Sequence, residues 1–295
     1  MPDVIRYDTM PAPVATHSTP ISAQRRWANV LGVLVDAVDM ERAMAMIDNQ
    51  LQNGPKGYVC FVGVNGILEA LKNGRVADAF EHAAIALPDG TPTVWVGWAQ
   101  GLRDMNHVTG PAVMKEIFRR EKFAGYSHFF YGGKPGVAEE LAVRLKSQFP
   151  WTRVAGTFTP PFRDLTPAEE QRLVAEIHRV KADIVWVGIS TPRQDLWMRR
   201  MLPRLDTRMM FGVGAAFDFL TDRIWPCPDW MKRAGLHWLH RFAQDPVRLW
   251  RRNLHNTAFL WHIALQLTGA KCYPPRHGRG RSLSAAATPV PHSES

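Results

Sequence analysis

The chain has 295 residues, 46% hydrophobic and 21% charged, so it can bury one large core or two modest ones and is not intrinsically disordered. Gly and Pro, at 22 each, are near average usage, and Cys60, Cys227 and Cys272 show neither CxxC nor Cys/His ligand spacing, which excludes collagen-like, disulfide-framework and structural-zinc classes. The formal charge of +9 is regional: between Arg223 and Arg281 eleven Lys/Arg stand against two acids, so this stretch carries the whole excess and its partner is anionic, whether a membrane surface, a diphosphate or nucleic acid.

Residues 1–26 contain Pro, Ser and Thr but no continuous apolar core of a secretory signal, and read as a flexible tail. No run of eighteen apolar residues occurs, so any membrane contact is expected to be peripheral. "NVLGVLVDAV" reads as a first strand, and "DMERAMAMIDNQLQNG" as a helix with Asp39 as N-cap and Gly54 as stop. The strand "YVCFVGV" leads into "NGILEALKNG", and "AAIALP" is a third strand ending at Asp89. Beyond it come a helix over "TGPAVMKEIFRREKFAG", the strand "YSHFFYGG" and the helix "KPGVAEELAVRLKSQFP". Then "RVAGTF", "DIVWVGIS" and "RMMFGVGAAF" read as strands, separated by the helices "TPAEEQRLVAEIHRVKA" and "TPRQDLWMRRMLPRL". Strands with little alternation, separated by helices, imply a mostly parallel sheet covered on both faces: an α/β, Rossmann-like domain over residues 27–222.

From Trp225 Arg mixes with tryptophans on helical spacings, and residues 223–270 read as a basic, amphipathic, membrane-associating helical appendage. Residues 271–295 read as a disordered tail. His237 and His240 form a close pair, but with no carboxylate or Cys partner nearby they belong to the amphipathic face, and no metal site is expected.

In a parallel sheet ligands sit outside the carboxyl ends of the strands, which singles out Asn65, Asp89, Gly132, Gly133, the stretch from Ser190 to Gln194, and Gly212 through Asp218. Asp89, in "LPDGTP", is a turn-former by composition, yet its place at a strand end suits a general base. Asn65 is either a helix N-cap or a substrate hydrogen bonder. The glycines of "YGGKPG" precede a helix start, where backbone N–H groups can hold a diphosphate or simply close a tight turn.

"LPDG", "VTG", "YGGKPGVAEELAVRLKSQFP", "DIVWVGISTPRQDLW", "GVGAAFDFL" and "PDWMKRAGLHWLHRFAQDPVRLWRR" together resemble the WecG/TagA/CpsF family of bacterial glycosyltransferases, in the family's order from about residue 28 to 265. The resemblance implies a Rossmann-like transferase that inverts the anomeric carbon without a metal or other cofactor. It would move a hexosyl residue from a UDP-sugar to a polyprenyl-diphosphate-linked sugar, as a cytoplasmic protein peripheral to the inner face of the plasma membrane. By position Asp89 takes the general base's place. Asn65, His107, Thr109, Gly132, Gly133, Gln194 and Asp218 fall in the substrate pocket, and Arg241, Arg248, Arg251 and Arg252 match appendage arginines that reach the lipid diphosphate.

Where relatives usually carry Thr, Arg and Glu, this chain has Gly63, His107 and Asp195, and His supplies an anion contact only when protonated. A neutral hexose, glucose or N-acetylmannosamine in type, is expected as donor because no additional strand-end cation stands ready for a donor carboxylate. Two rivals are a nucleotide-binding module whose basic tail takes nucleic acid, and a non-catalytic scaffold in a polysaccharide assembly complex. The Trp-rich amphipathic pattern favours a lipid interface over nucleic acid, and intact Asp89, Asn65 and Gln194 favour an enzyme. Homo-oligomerisation is left open by the sequence.

Overall fold

A computed structural model describes residues 25–223 and 246–275 of the chain, with 246–256 described by backbone alone. Six parallel strands form the central sheet: β3 (Gly57–Val62), β4 (Ile85–Pro88), β5 (Ser127–Gly132), β6 (Arg153–Phe158), β7 (Ile184–Gly188) and β8 (Met209–Gly212). Their spatial order is β4-β3-β8-β7-β5-β6, the doubly wound α/β architecture expected from the sequence. Alternation along β3 sends Tyr58, Cys60 and Val62 into one apolar layer and Val59 and Phe61 into the other. The first layer is closed by α2 (Val64–Lys72), α3 (Gly74–Glu81), α7 (Pro167–Arg179) and α8 (Arg193–Met201). The second is closed by α1 (Met40–Asn53), α5 (Gly110–Arg119), α6 (Val137–Gln148) and α9 (Ala216–Leu220).

Several elements differ from the sequence expectation. The first apolar run is not one strand but an antiparallel hairpin, β1 (Trp27–Val30) and β2 (Val33–Asp36), turned by Leu31 and Gly32 at φ +52° and +88°. Helix α3 and a further helix, α4 (Thr91–Ala99), had no counterpart in the reading of the sequence. The hairpin serves the sheet through Asp36, which is fully buried. Its carboxylate accepts the Ala86 N–H of edge strand β4 at 2.7 Å and a two-pronged contact from Arg25 at 2.6 and 2.8 Å, so the open edge beside β4 is capped.

The helix α10 (Pro246–Leu267) carries Arg248, Arg251 and Arg252 in its first turns, whereas Arg241, His237 and His240 lie outside the described residues. Its second half is part of the domain rather than an adjunct to it. Phe259 and Ile263 are buried in the same layer as α2, and the Gln266 amide bonds Leu31 N–H at 2.9 Å and the Asn29 carbonyl at 2.8 Å. Residues 271–275, expected within a disordered tail, are seated: Tyr273 is buried, its carbonyl accepts from Asn29 Nδ2 at 2.9 Å, and its hydroxyl pairs with His262 Nδ1 at 2.7 Å. Among the described residues no helix is long and apolar enough to cross a membrane.

Asp36→Ala removes a buried acceptor from both Arg25 and the Ala86 N–H. It is expected to lower unfolding free energy by about 2–3 kcal/mol, read as a shifted urea midpoint at unchanged slope.

Candidate active site

Asp89 is placed by the sheet. Its N–H donates to the Val62 carbonyl at 3.1 Å, which extends the β3–β4 pairing by one residue, and Gly90 at φ +111° then reverses the chain into α4. The turn and the carboxylate are therefore one device: only a glycine adopts that backbone cheaply, and it leaves the Asp89 side chain half exposed on the carboxyl rim. Beside it, Gly63 starts α2. A Cβ there would stand 2.6 Å from the Asp89 carbonyl oxygen, so the close approach of the two strand ends needs a residue without one. Gly63 also occupies the N-cap, which removes the N-cap alternative for Asn65; Asn65 lies in the first turn of α2, half buried, at the same rim.

His107 reaches Asp89 from eighteen positions downstream, its Nε2 standing 3.9 Å from Oδ1. The irregular loop that carries it is tied at several points. Val108 N–H donates to the Pro88 carbonyl at 2.9 Å, Asn106 N–H to Val38 at 3.0 Å, and Trp98 Nε1 to Met105 at 2.8 Å. Asp104 anchors the same loop through Arg26 and Arg42. Burial pushes its carboxyl up, but the two guanidiniums outweigh that and hold it below the ordinary aspartate value. Thr109 then caps α5, its hydroxyl accepting from Ala112 N–H at 3.4 Å.

Toward the middle of the sheet stands Gln194. It is 3% exposed, and its amide spans two strand-end loops: Nε2 donates to Gly212 O at 2.5 Å and to Thr191 Oγ1 at 3.3 Å, while Oε1 accepts from Gly214 N–H at 2.9 Å. Gln194 thus fixes the loops after β7 and β8 to each other. Asp218 lies half buried in the first turn of α9. The Gly132–Gly133 turn comes next along the rim; at φ +130° a Cβ on Gly132 would meet the Gly188 carbonyl at 2.5 Å, so the β5 and β7 ends touch through backbone alone. From Asp89 to this turn is four strand spacings, ~19 Å.

One residue was undervalued by the sequence reading, which noted Asp195 only as a departure from Glu. It is fully buried under Gln194, and neither carboxyl oxygen has a hydrogen bond of good geometry. Burial pushes its pKa up to about 6, against the opposing pull of Thr191 and Cys60. A carboxyl this poorly satisfied beside a rim residue is a feature of functional sites more than of cores.

The rim is also electropositive by construction. Helices α2, α4, α6, α8 and α9 each leave the carboxyl end of a sheet strand, and none of these five starts has a side-chain cap. The helix that follows β6, α7, is capped by Thr166, and α1, α3 and α5, which do not directly follow a strand of this sheet, are capped by Asp39, Asn73 and Thr109. The uncapped starts leave first-turn N–H groups without a side-chain acceptor, although those of Val137, Gln194 and Ala216 are spent on local carbonyls, and the longer helices add a partial positive charge, which together suit an elongated polyanion.

The sequence profile of the glycosyl transferase WecG/TagA/CpsF family matches residues 28–272. The chain is 24% identical over 207 residues, 70% of its own length and 78% of the relative's, to the N-acetylglucosaminyldiphosphoundecaprenol N-acetyl-beta-D-mannosaminyltransferase of Bacillus subtilis (strain 168).

The Asp195 carboxyl yields a signed expectation. Its folded pKa lies above its unfolded one, so protonation is favoured by folding, and stability is lost as pH rises from about 4 to about 6 and stays lost above. Asp195→Asn should remove this dependence. Relative to wild type, its unfolding free energy should improve across that window by up to about 3 kcal/mol, measured by urea titration at pH 4.5 and 7.5.

Proposed function

The chain belongs to the WecG/TagA/CpsF family of glycosyltransferases, and from that premise we propose that it transfers a hexosyl residue from a UDP-sugar to a sugar carried on undecaprenyl diphosphate, with inversion and without a metal. The observation that carries the proposal is the half-exposed Asp89 carboxylate at the end of β4, with the His107 imidazole 3.9 Å away and a row of uncapped helix starts beside it. The Bacillus relative, named for an undecaprenol-linked acceptor and the transfer of an N-acetylmannosaminyl group, supports a neutral sugar of that type, with glucose as the alternative donor.

The chemistry follows from the layout. The acceptor hydroxyl gives its proton to an Asp89 oxygen as its own oxygen bonds the anomeric carbon from the face opposite UDP. The bond from that carbon to the diphosphate oxygen breaks, and UDP leaves with the electron pair. Negative charge grows on the diphosphate, and the N–H groups at the starts of α2, α8 and α9 are the preorganised donors that receive it. The ~19 Å rim from Asp89 to Gly132–Gly133 suits an extended nucleoside-diphosphate sugar, with Asn65 near the transferred sugar and Asp218 and the glycine turn toward the nucleotide. Gln194 acts in this scheme as the brace that keeps the β7 and β8 loops in register with the ligand. His107 orients Asp89 and, when protonated, adds charge toward the diphosphate.

Arg248, Arg251 and Arg252 share one turn of α10 and would take the anionic lipid headgroup or the acceptor's own diphosphate, placing the protein at the inner membrane face.

Asp89→Asn is expected to lower transfer by about 10²–10⁴-fold, followed as UDP release with a short-chain lipid-diphosphate-sugar acceptor, while UDP affinity stays within a few-fold. Because α10 contributes Phe259 and Ile263 to the core, deletion of the whole appendage would confound folding with function. The cleaner test is Arg248→Ala, Arg251→Ala and Arg252→Ala together. This triple variant should keep its melting temperature and lose affinity for anionic vesicles by roughly 10²-fold, at about 1 kcal/mol per side chain.

A further inference from the structure

We propose that the catalytic domain has a membrane-seating face of its own, formed by α4 together with the second half of α10, and that this face sets the direction from which a lipid-carried acceptor reaches Asp89. The inference rests on the preceding reading that the acceptor is lipid-linked.

Helix α4 starts two residues after Asp89 and has no ionisable residue along its length, "TPTVWVGWA". Its exposed side chains, Thr91, Trp95, Trp98 and Ala99, recur at i, i+4, i+7 and i+8 and so form one stripe that begins at the rim. Trp95 is 54% exposed and Trp98 36%. The indole N–H of Trp98 is spent on the Met105 carbonyl, so what it offers outward is apolar ring. On α10 from Thr257 to Leu267 there is again no Asp, Glu, Lys or Arg, and Leu260, Trp261 and Leu267 are 56%, 66% and 49% exposed.

The two helices are fastened to the same atom. Gln100, just past α4, donates Nε2 to the Asn29 carbonyl at 2.7 Å, and Gln266 of α10 donates to that carbonyl at 2.8 Å. The C-terminal ends of the two helices are therefore anchored at one point of the domain, and from there the exposed stripe of α4 runs back to the general base.

Charge selects the occupant. The stretch that follows the catalytic domain carries the chain's full +9, and α10 itself places Arg248, Arg251 and Arg252 ahead of its apolar half. An exposed, ring-bearing stripe on a helix whose earlier turns carry three arginines matches an anionic bilayer surface, where indoles settle at the headgroup boundary and guanidiniums meet lipid phosphate.

The test uses the full chain, large unilamellar vesicles of phosphatidylcholine with 30% phosphatidylglycerol, and the series Trp95→Tyr, Trp95→Ser and Trp95→Glu. Partitioning should be near wild type for Tyr, fall about tenfold for Ser, and fall further for Glu, with Trp261→Ser additive to Trp95→Ser. Turnover on a water-soluble short-chain acceptor should stay unchanged for Trp95→Ser, while KM for the same sugar on a vesicle-embedded long-chain lipid rises.

Vesicle affinity that ignores the whole series would overturn the proposal. So would a series that lowers melting temperature but not partitioning, which would put Trp95 under another part of the chain. Loss of self-association in lipid-free buffer with vesicle binding intact would assign the patch to a second copy and overturn it equally. Partitioning is measured without donor or acceptor, so absence of any transfer by the wild type would overturn the proposed reaction and the approach of the acceptor, whereas the membrane-seating face is decided by the partitioning series alone.

Discussion

Parallel strands all end on the same side, and that single constraint builds the site. Every crossover must climb back along the sheet as a helix, so each helix that leaves a strand begins at the carboxyl rim with its N–H groups facing out. In most proteins a Ser, Thr, Asp or Asn closes such starts. Here α2, α4, α6, α8 and α9 begin at Gly63, Gly90, Gly136, Pro192 and Ala215, none of which can do so. The missing caps cost local helix stability, and they leave a line of donors for an anion that the fold itself does not supply.

The rim is rigid where the proposed reaction would place such an anion. Gln194 bonds two loops at once, Gly132 lets β5 and β7 close to backbone contact, and the loop of His107 is held by Asp104 and by Val108 on the β4 end. In the proposed reaction, preorganisation of this sort would let backbone dipoles stabilise the leaving diphosphate. Asp195 shows the cost: an almost unsatisfied carboxyl lies directly beneath the brace, a local frustration that a core alone would not retain.

Much of this was legible in the sequence, and the misses have physical causes. The sheet strands are apolar runs ended by Gly, Pro or Asp, so their order and the candidate rim followed from pattern and topology. The β1–β2 turn was missed because Leu31 and Gly32 interrupt an apolar run without any polar turn residue. Helix α3 hid behind Asn73-Gly74, which reads as a turn but in fact caps the next helix, with Asn73 Oδ1 accepting the Arg75 N–H. Helix α4 escaped because it has no polar face to create a period, its outer stripe being as apolar as its inner one. Asp89 could be placed by strand-end topology, whereas its proximity to His107 depends on a loop whose course is set by backbone hydrogen bonds that leave no mark on residue type. The saturation of Gln194 by its neighbours was equally invisible.

The contact between Gly63 and the Asp89 carbonyl has a mutational consequence. A side chain at 63 would displace the end of β4, and with it the carboxylate that the imidazole of residue 107 faces. Two positions forty-odd residues apart in sequence are thus linked through one aspartate. A change at either position would be felt at the carboxylate that lies between them, so the effects of the two are expected to couple rather than add.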